Sequence, residues 1–207
     1  MKRAALGIRM HSGWGVLVAV SGDADSVEVE IIDRRRIVTT DPTMPGAVQP
    51  YHHAASLGIA ELGISEAESY LANCAAVSER LALAAVEKVV RELDGRGYRI
   101  VGSAVLLASG RPLPSVAEIL ASHPLIHTAE GEFFRNAVRK ACESLKISVT
   151  AIRERELDER AKTAFGNAAS RVQRTISTLG SYIGPPWTKD HKTAALAAAM
   201  ILATWKT

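Results

Sequence analysis

Six histidines are spread along the chain, and several stand close to carboxylates. His127 and Glu130 are three residues apart, Asp190 is followed directly by His191, His52 and His53 are adjacent, and His123 stands shortly before His127. Imidazole and carboxylate together can ligate a transition metal or act as general acid and base, and a histidine near neutrality can hold a phosphate. If the chain around His127 is helical, His127 and Glu130 share a face, which makes them the first pair to test. No pair has a tight zinc-binding spacing of the His-Glu-x-x-His kind. Taken singly, each histidine reads as a loop or helix-end residue making ordinary hydrogen bonds. The chemistry therefore depends on whether the fold gathers them.

The elements that would do so follow from periodicity and turn residues. Residues 4–10 and 14–20 are short apolar runs about a His11-Ser12-Gly13 turn, which predicts a hairpin. Gly22-Asp23-Ala24-Asp25 turns again, and the alternation of Val27, Val29 and Ile31 with Glu28 and Glu30 predicts a third antiparallel strand over 27–38. Three prolines and a glycine make 39–50 a loop of the length that often carries function. A long helical region follows. Its clearest part starts at a Ser65/Glu68 capping box, carries Leu71, Cys74, Leu81, Ala85, Val89 and Leu93 near helical spacing, and stops at Gly95 and Gly97.

Residues 100–107 are apolar throughout and bounded by Gly97 and Gly110, as expected of a central parallel strand buried on both faces. A short helix capped by Ser115 and Glu118, a helix over 129–145, a fifth strand over 146–153 and helices over 157–165, 168–179 and 189–205 complete the chain.

The order βββαβαβα predicts an α/β fold: one domain over residues 1–207, with a mixed five-stranded sheet and helices on both faces. Strands one, three, four and five then run the same way. The loops leaving three, four and five share one sheet edge, where open α/β sheets bind ligands. That edge collects His52 and His53, then His123, His127 and Glu130, then Asp190 and His191, with His11 beside them. His127, Glu130, Asp190 and His191 are the catalytic candidates, and Arg9, His52, His53 and His123 the ligand-binding ones. Arg9, on strand one, would meet a phosphate or a carboxylate.

The element order and three local stretches resemble the RuvC-like branch of the ribonuclease H-like superfamily. The stretches are Gly7-Ile8 with Gly13-Trp14-Gly15-Val16, Phe165-Gly166-Asn167 with Val172-Gln173, and Pro185-Pro186 before Asp190 and an alanine-rich helix. The resemblance implies about four carboxylates holding two divalent ions for phosphodiester hydrolysis. The first would stand where this chain has Arg9. The second would lie on or just past the strand at 100–107, where no acid occurs before Glu118. The last pair would open the final helix, where Asp190 is followed by Lys192 and Thr193. At most one ligand of that set is kept, unless Glu130 or Glu132 substitutes. Asp190 also has a structural use, as an acid in the first turn of a helix.

A formal net charge of +3 and a pI near 9.0 permit a nucleic-acid partner without demanding one. Arg153, Arg155, Arg160, Lys162, Arg171 and Arg174 lie where RuvC-like proteins meet nucleic acid, but Glu154, Glu156, Asp158 and Glu159 interleave with them, as on a solvated, salt-bridged face. Arg34-Arg35-Arg36 and the three tryptophans read as structural in the same way. Cys74 and Cys142 are expected as buried free thiols in a reducing, cytoplasmic setting. No stretch is long and apolar enough to span a membrane.

The main expectation is a RuvC-like protein with a degenerate two-metal site that binds nucleic acid or a phosphate ligand without ordinary nuclease activity. One alternative is a phosphodiesterase or other hydrolase using His127, Glu130, Asp190 and His191, with a divalent metal or as acid and base. Another is a homodimeric scaffold that binds no ligand.

Overall fold

The computed structural model describes residues 1–22, 28–57, 63–108 and 112–205. Strands β1 (Lys2–Met10), β2 (Trp14–Ser21) and β3 (Glu30–Val38) come first, followed by helices α1 (Pro50–Ser56) and α2 (Ile64–Gly95). Strand β4 (Tyr98–Leu107), helices α3 (Val116–Leu120) and α4 (His123–Ser144), and strand β5 (Val149–Arg153) follow. Helices α5 (Leu157–Phe165), α6 (Ala169–Thr178), α7 (Gly180–Ile183) and α8 (Lys189–Thr204) end the chain.

The five strands form one sheet in the order β3-β2-β1-β4-β5. β1 pairs antiparallel with β2 and β2 with β3, whereas β1 pairs parallel with β4 and β4 with β5. The expected mixed sheet is therefore present, and β1, β3, β4 and β5 do run the same way. β1 is the middle strand of the five, and β4 lies between its two parallel partners, β1 and β5, as expected of the central parallel strand.

Alternation along β1 sends Ala4, Leu6, Ile8 and Met10 to one face and Ala5, Gly7 and Arg9 to the other. On the first face they join Leu17, Ala19 and Val105 beneath Val86, Val89 and Leu93 of α2 and Phe134, Val138 and Cys142 of α4. On the second, Ala5, Val18, Val20 and Leu106 pack under α5, α6 and the alanine-rich α8. Each large aliphatic side chain so buried contributes about 1.5–3 kcal/mol. Gly7 is what lets α8 lie so close, since a Cβ there would stand 1.8 Å from the Ala194 carbonyl oxygen.

Several boundaries differ from those expected. The third strand begins at Glu30, and both its predicted first residue, Val27, and most of the Gly22–Asp25 turn lie outside the described residues, as does Gly110. The Ser65/Glu68 capping box is not formed. Helix α2 starts one residue earlier, after Gly63 at φ +76°. The Ser115/Glu118 box is formed as expected. The helix predicted over 129–145 starts at His123, because Pro124 occupies its first turn, where a missing amide hydrogen costs nothing.

Candidate functional site

Arg9 stands one residue from the end of β1 on the face covered by α8, so its side chain projects toward the carboxyl ends of β1 and β5. Its Nε and Nη2 donate to the two carboxylate oxygens of Glu154, at 3.0 and 3.1 Å. Its Nη1 donates to Asp190 Oδ1 at 2.6 Å. Glu154 is the first residue beyond β5, and Asp190 lies in the first turn of α8. His11, in the turn after β1, places Nε2 at 2.9 Å from the other Asp190 oxygen and stacks on Trp14. One guanidinium thus ties three chain segments together through charge-assisted, partly bidentate bonds. Of the alternatives expected for Arg9, it meets carboxylates.

Across the edge, α1 and α4 bring three histidines together. His123 and His127 are one turn apart on α4, with their Nε2 atoms separated by 3.0 Å. The His52 ring of α1 lies edge-on to both, with centroids at 5.6 and 4.7 Å. Glu130, one turn after His127, is buried. Its Oε1 accepts from the His52 amide at 3.0 Å and lies 3.2 Å from His52 Nδ1. Burial pushes the Glu130 carboxyl above its usual range, although the His52 bonds oppose this. Arg135, farther along α4, bonds Glu132 at 3.3 Å, and burial pulls its guanidinium down.

Both halves face one open cleft of about 560 Å³, whose lining includes Arg9, His11, His52, His127, Glu130, Arg135, Glu154 and Arg155. The predicted residues Arg9, His52, His123, His127, Glu130 and Asp190 are therefore brought to this edge, in two groups. His53 is not with them. It leaves α1 toward Tyr70, with ring centroids 5.2 Å apart. His191 is buried at the start of α8, where Nδ1 accepts from the Thr188 amide at 3.3 Å and lies 2.8 Å from the Thr188 hydroxyl oxygen. Burial, and then Arg34, hold the His191 imidazole below its usual value.

Sequence reasoning missed Glu154, which it assigned to the solvated face of a helix, and so undercounted the acids at this edge. The signal was its place immediately after the last strand. It also missed Arg135, which the sequence marks only by its helical spacing from Glu132. Of the basic residues expected on a salt-bridged face, Arg153 and Arg160 are both paired with Glu156, whereas Arg155 lines the cleft. Arg34 donates to the carbonyls of Ile183, Gly184 and Pro186, Arg35 pairs with Asp33 and Glu92, and Arg36 lies over the Trp14 ring. Trp187 donates to the Ile176 carbonyl. Cys74 and Cys142 are free and buried. Among the described residues no helix is long and apolar enough to cross a membrane.

The carboxylates of Asp190 and Glu154 are both paired with the Arg9 guanidinium, which lies between them.

No family model matches the chain, and no curated protein matches it. Among solved structures, RuvC from Thermus thermophilus is 14% identical with a TM-score of 0.54, the match covering 97% of this chain and 95% of that one. T. thermophilus RuvC in complex with a Holliday junction substrate is 13% identical with a TM-score of 0.51, covering 96% of this chain and 91% of that one. At that identity the likeness shows the fold: a mixed five-stranded sheet between helical layers, in the RuvC-like, ribonuclease H-like arrangement.

Proposed function

We propose that residues 1–207 act as one ribonuclease H-like domain that binds a nucleic-acid phosphate backbone at the strand-edge cleft and lacks two-metal cleavage. The observation that carries this reading is the Arg9 guanidinium bonded to both Glu154 and Asp190. The RuvC-like resemblance puts the first metal-holding carboxylate at this position. A fixed positive charge there already neutralises the acids that would attract a divalent ion, and a second cation beside it would be repelled. The edge then keeps its shape without metal.

The cleft still offers cationic and imidazole groups to a phosphate: Arg135, Arg155, His11, His52 and His127. Arg155 is exposed and makes no ion pair among the described residues. The T. thermophilus RuvC structure with a Holliday junction supports a nucleic acid over a small phosphate as the partner of this fold. The hydrolase alternative loses ground because His191 serves the start of α8 and does not join His127 and Glu130 at the cleft. The scaffold alternative gains nothing from Val38, Val48, Ile64 and Tyr182, exposed apolar residues on four separate segments.

Fluorescence anisotropy with labelled branched and linear DNA over a salt series tests the reading. Binding should weaken steeply with salt, and Arg155→Ala should weaken it further and lower the slope by about 1. Absence of binding at low salt overturns it.

A further inference from the structure

We propose that His52, His123 and His127 form a site for a divalent transition ion of the zinc class, with Glu130 fixing the orientation of His52. One ring nitrogen of each histidine lies within 4.8 Å of those of the other two. The two from α4 are 3.0 Å apart. Nitrogens about 2.0–2.1 Å from a tetrahedral zinc ion are roughly 3.3 Å from one another. The α4 pair is thus already near coordination spacing, and His52 needs only a small approach to complete a three-nitrogen face. The backbone supplies this arrangement cheaply, because residues four apart stand one above the other on a helix.

A hydrogen-bonded histidine pair would explain His123 and His127 alone. It explains neither the third ring nor Glu130. Glu130 is 4% exposed, and its Oε2 is buried without a partner among the described residues. A half-satisfied carboxylate in such surroundings costs free energy and calls for a reason. Its Oε1 lies 3.2 Å from His52 Nδ1, and with Nδ1–H donating to it the other ring nitrogen, Nε2, is left to bind a metal. Carboxylates behind metal-bound histidines do this in metal sites generally, fixing tautomer and ring orientation.

The ligand set selects the ion. Imidazole nitrogens suit zinc, copper, nickel and cobalt, whereas magnesium and calcium take oxygens. Three protein ligands leave a fourth position for water or an anion. His52 and His127 line the same cleft as Arg9 and Arg155, so that position opens toward the cationic edge. The site uses none of the residues of the Arg9 group and does not depend on nucleic-acid binding.

The test uses chelator-treated full-length protein without DNA, titrated with zinc by calorimetry and with cobalt by visible absorption. One equivalent of each should bind, cobalt with the intense spectrum of a tetrahedral site, and excess magnesium should not displace either. His123→Ala combined with His127→Ala should abolish uptake, and Glu130→Gln should weaken it by about 10–100-fold. Both α4 histidines are exposed, so far-UV circular dichroism and thermal melting should show the double variant folded. No saturable zinc uptake by the folded wild type, or uptake unchanged in the folded double variant, overturns the site. Unchanged affinity in Glu130→Gln overturns the role of Glu130.

Discussion

Arg9 Nη1 lies 2.6 Å from Asp190 Oδ1, joining the middle strand of the sheet to the first turn of the last helix. The same guanidinium grips Glu154 at the end of β5, so one side chain closes the edge at which this fold class places its ligands. One guanidinium thus bonds carboxylates from two separate segments.

Removing that cation leaves two carboxylates at the edge without their partner. Arg9→Ala should lower stability by about 2 kcal/mol, between the values for exposed and fully buried pairs. For a chain of this length the melting temperature should fall by roughly 4–8 °C. Differential scanning calorimetry at low and high salt reads this directly, and a change within error at both would show that the triad contributes nothing to the fold.

Gly7 sets how closely α8 approaches the sheet, and hence where Asp190 sits. In Gly7→Ala the new methyl would lie 1.8 Å from the Ala194 carbonyl oxygen and 3.1 Å from the Ala198 amide nitrogen. Backbone on both sides must move, so the expected cost is about 3 kcal/mol or more. Denaturant unfolding should register it, and a midpoint equal to that of the wild type would mean that α8 packs farther out than described.

His191 links stability to pH. Its Nδ1 accepts from the Thr188 amide, which requires the neutral ring, and burial followed by the nearby Arg34 charge disfavours protonation, while Asp190 favours it. The unfolded chain takes up this proton first, near pH 6.5. The contribution is therefore complete above that pH and is lost as pH falls through the lower folded value. His191→Gln keeps an acceptor suited to the third position of a capped helix but does not titrate. Its melting temperature should vary less than that of the wild type between about pH 7 and 5. Parallel profiles would remove His191 from the acid response.

The fold was legible because β1, β2 and β4 carry apolar runs beside strong turn residues, and because three strands followed by two helix–strand units allow few topologies. The strand-edge location followed from this topology, taken partly from the element order and partly from the family resemblance. What periodicity could not supply was direction within an element. His52 and His53 are neighbours on α1, as are Asp190 and His191 on α8, and adjacent helical positions are turned about 100° apart. His52 lines the cleft and Asp190 bonds Arg9, while His53 and His191 pack elsewhere. The His123–His127 pair stayed hidden because Pro124 reads as a helix breaker until it is seen in the first turn. Glu154 stayed hidden because the acids and bases around it alternate as they do on a solvated face.

Magnesium-dependent cleavage of branched and linear DNA, followed in the same samples in which binding is measured, separates a binding domain from a nuclease. The Arg9 triad predicts salt-sensitive binding by the wild type with no magnesium-dependent cleavage. Cleavage that requires magnesium and disappears in both Asp190→Asn and Glu154→Gln would contradict it, because those acids would then be holding metal in place of Arg9.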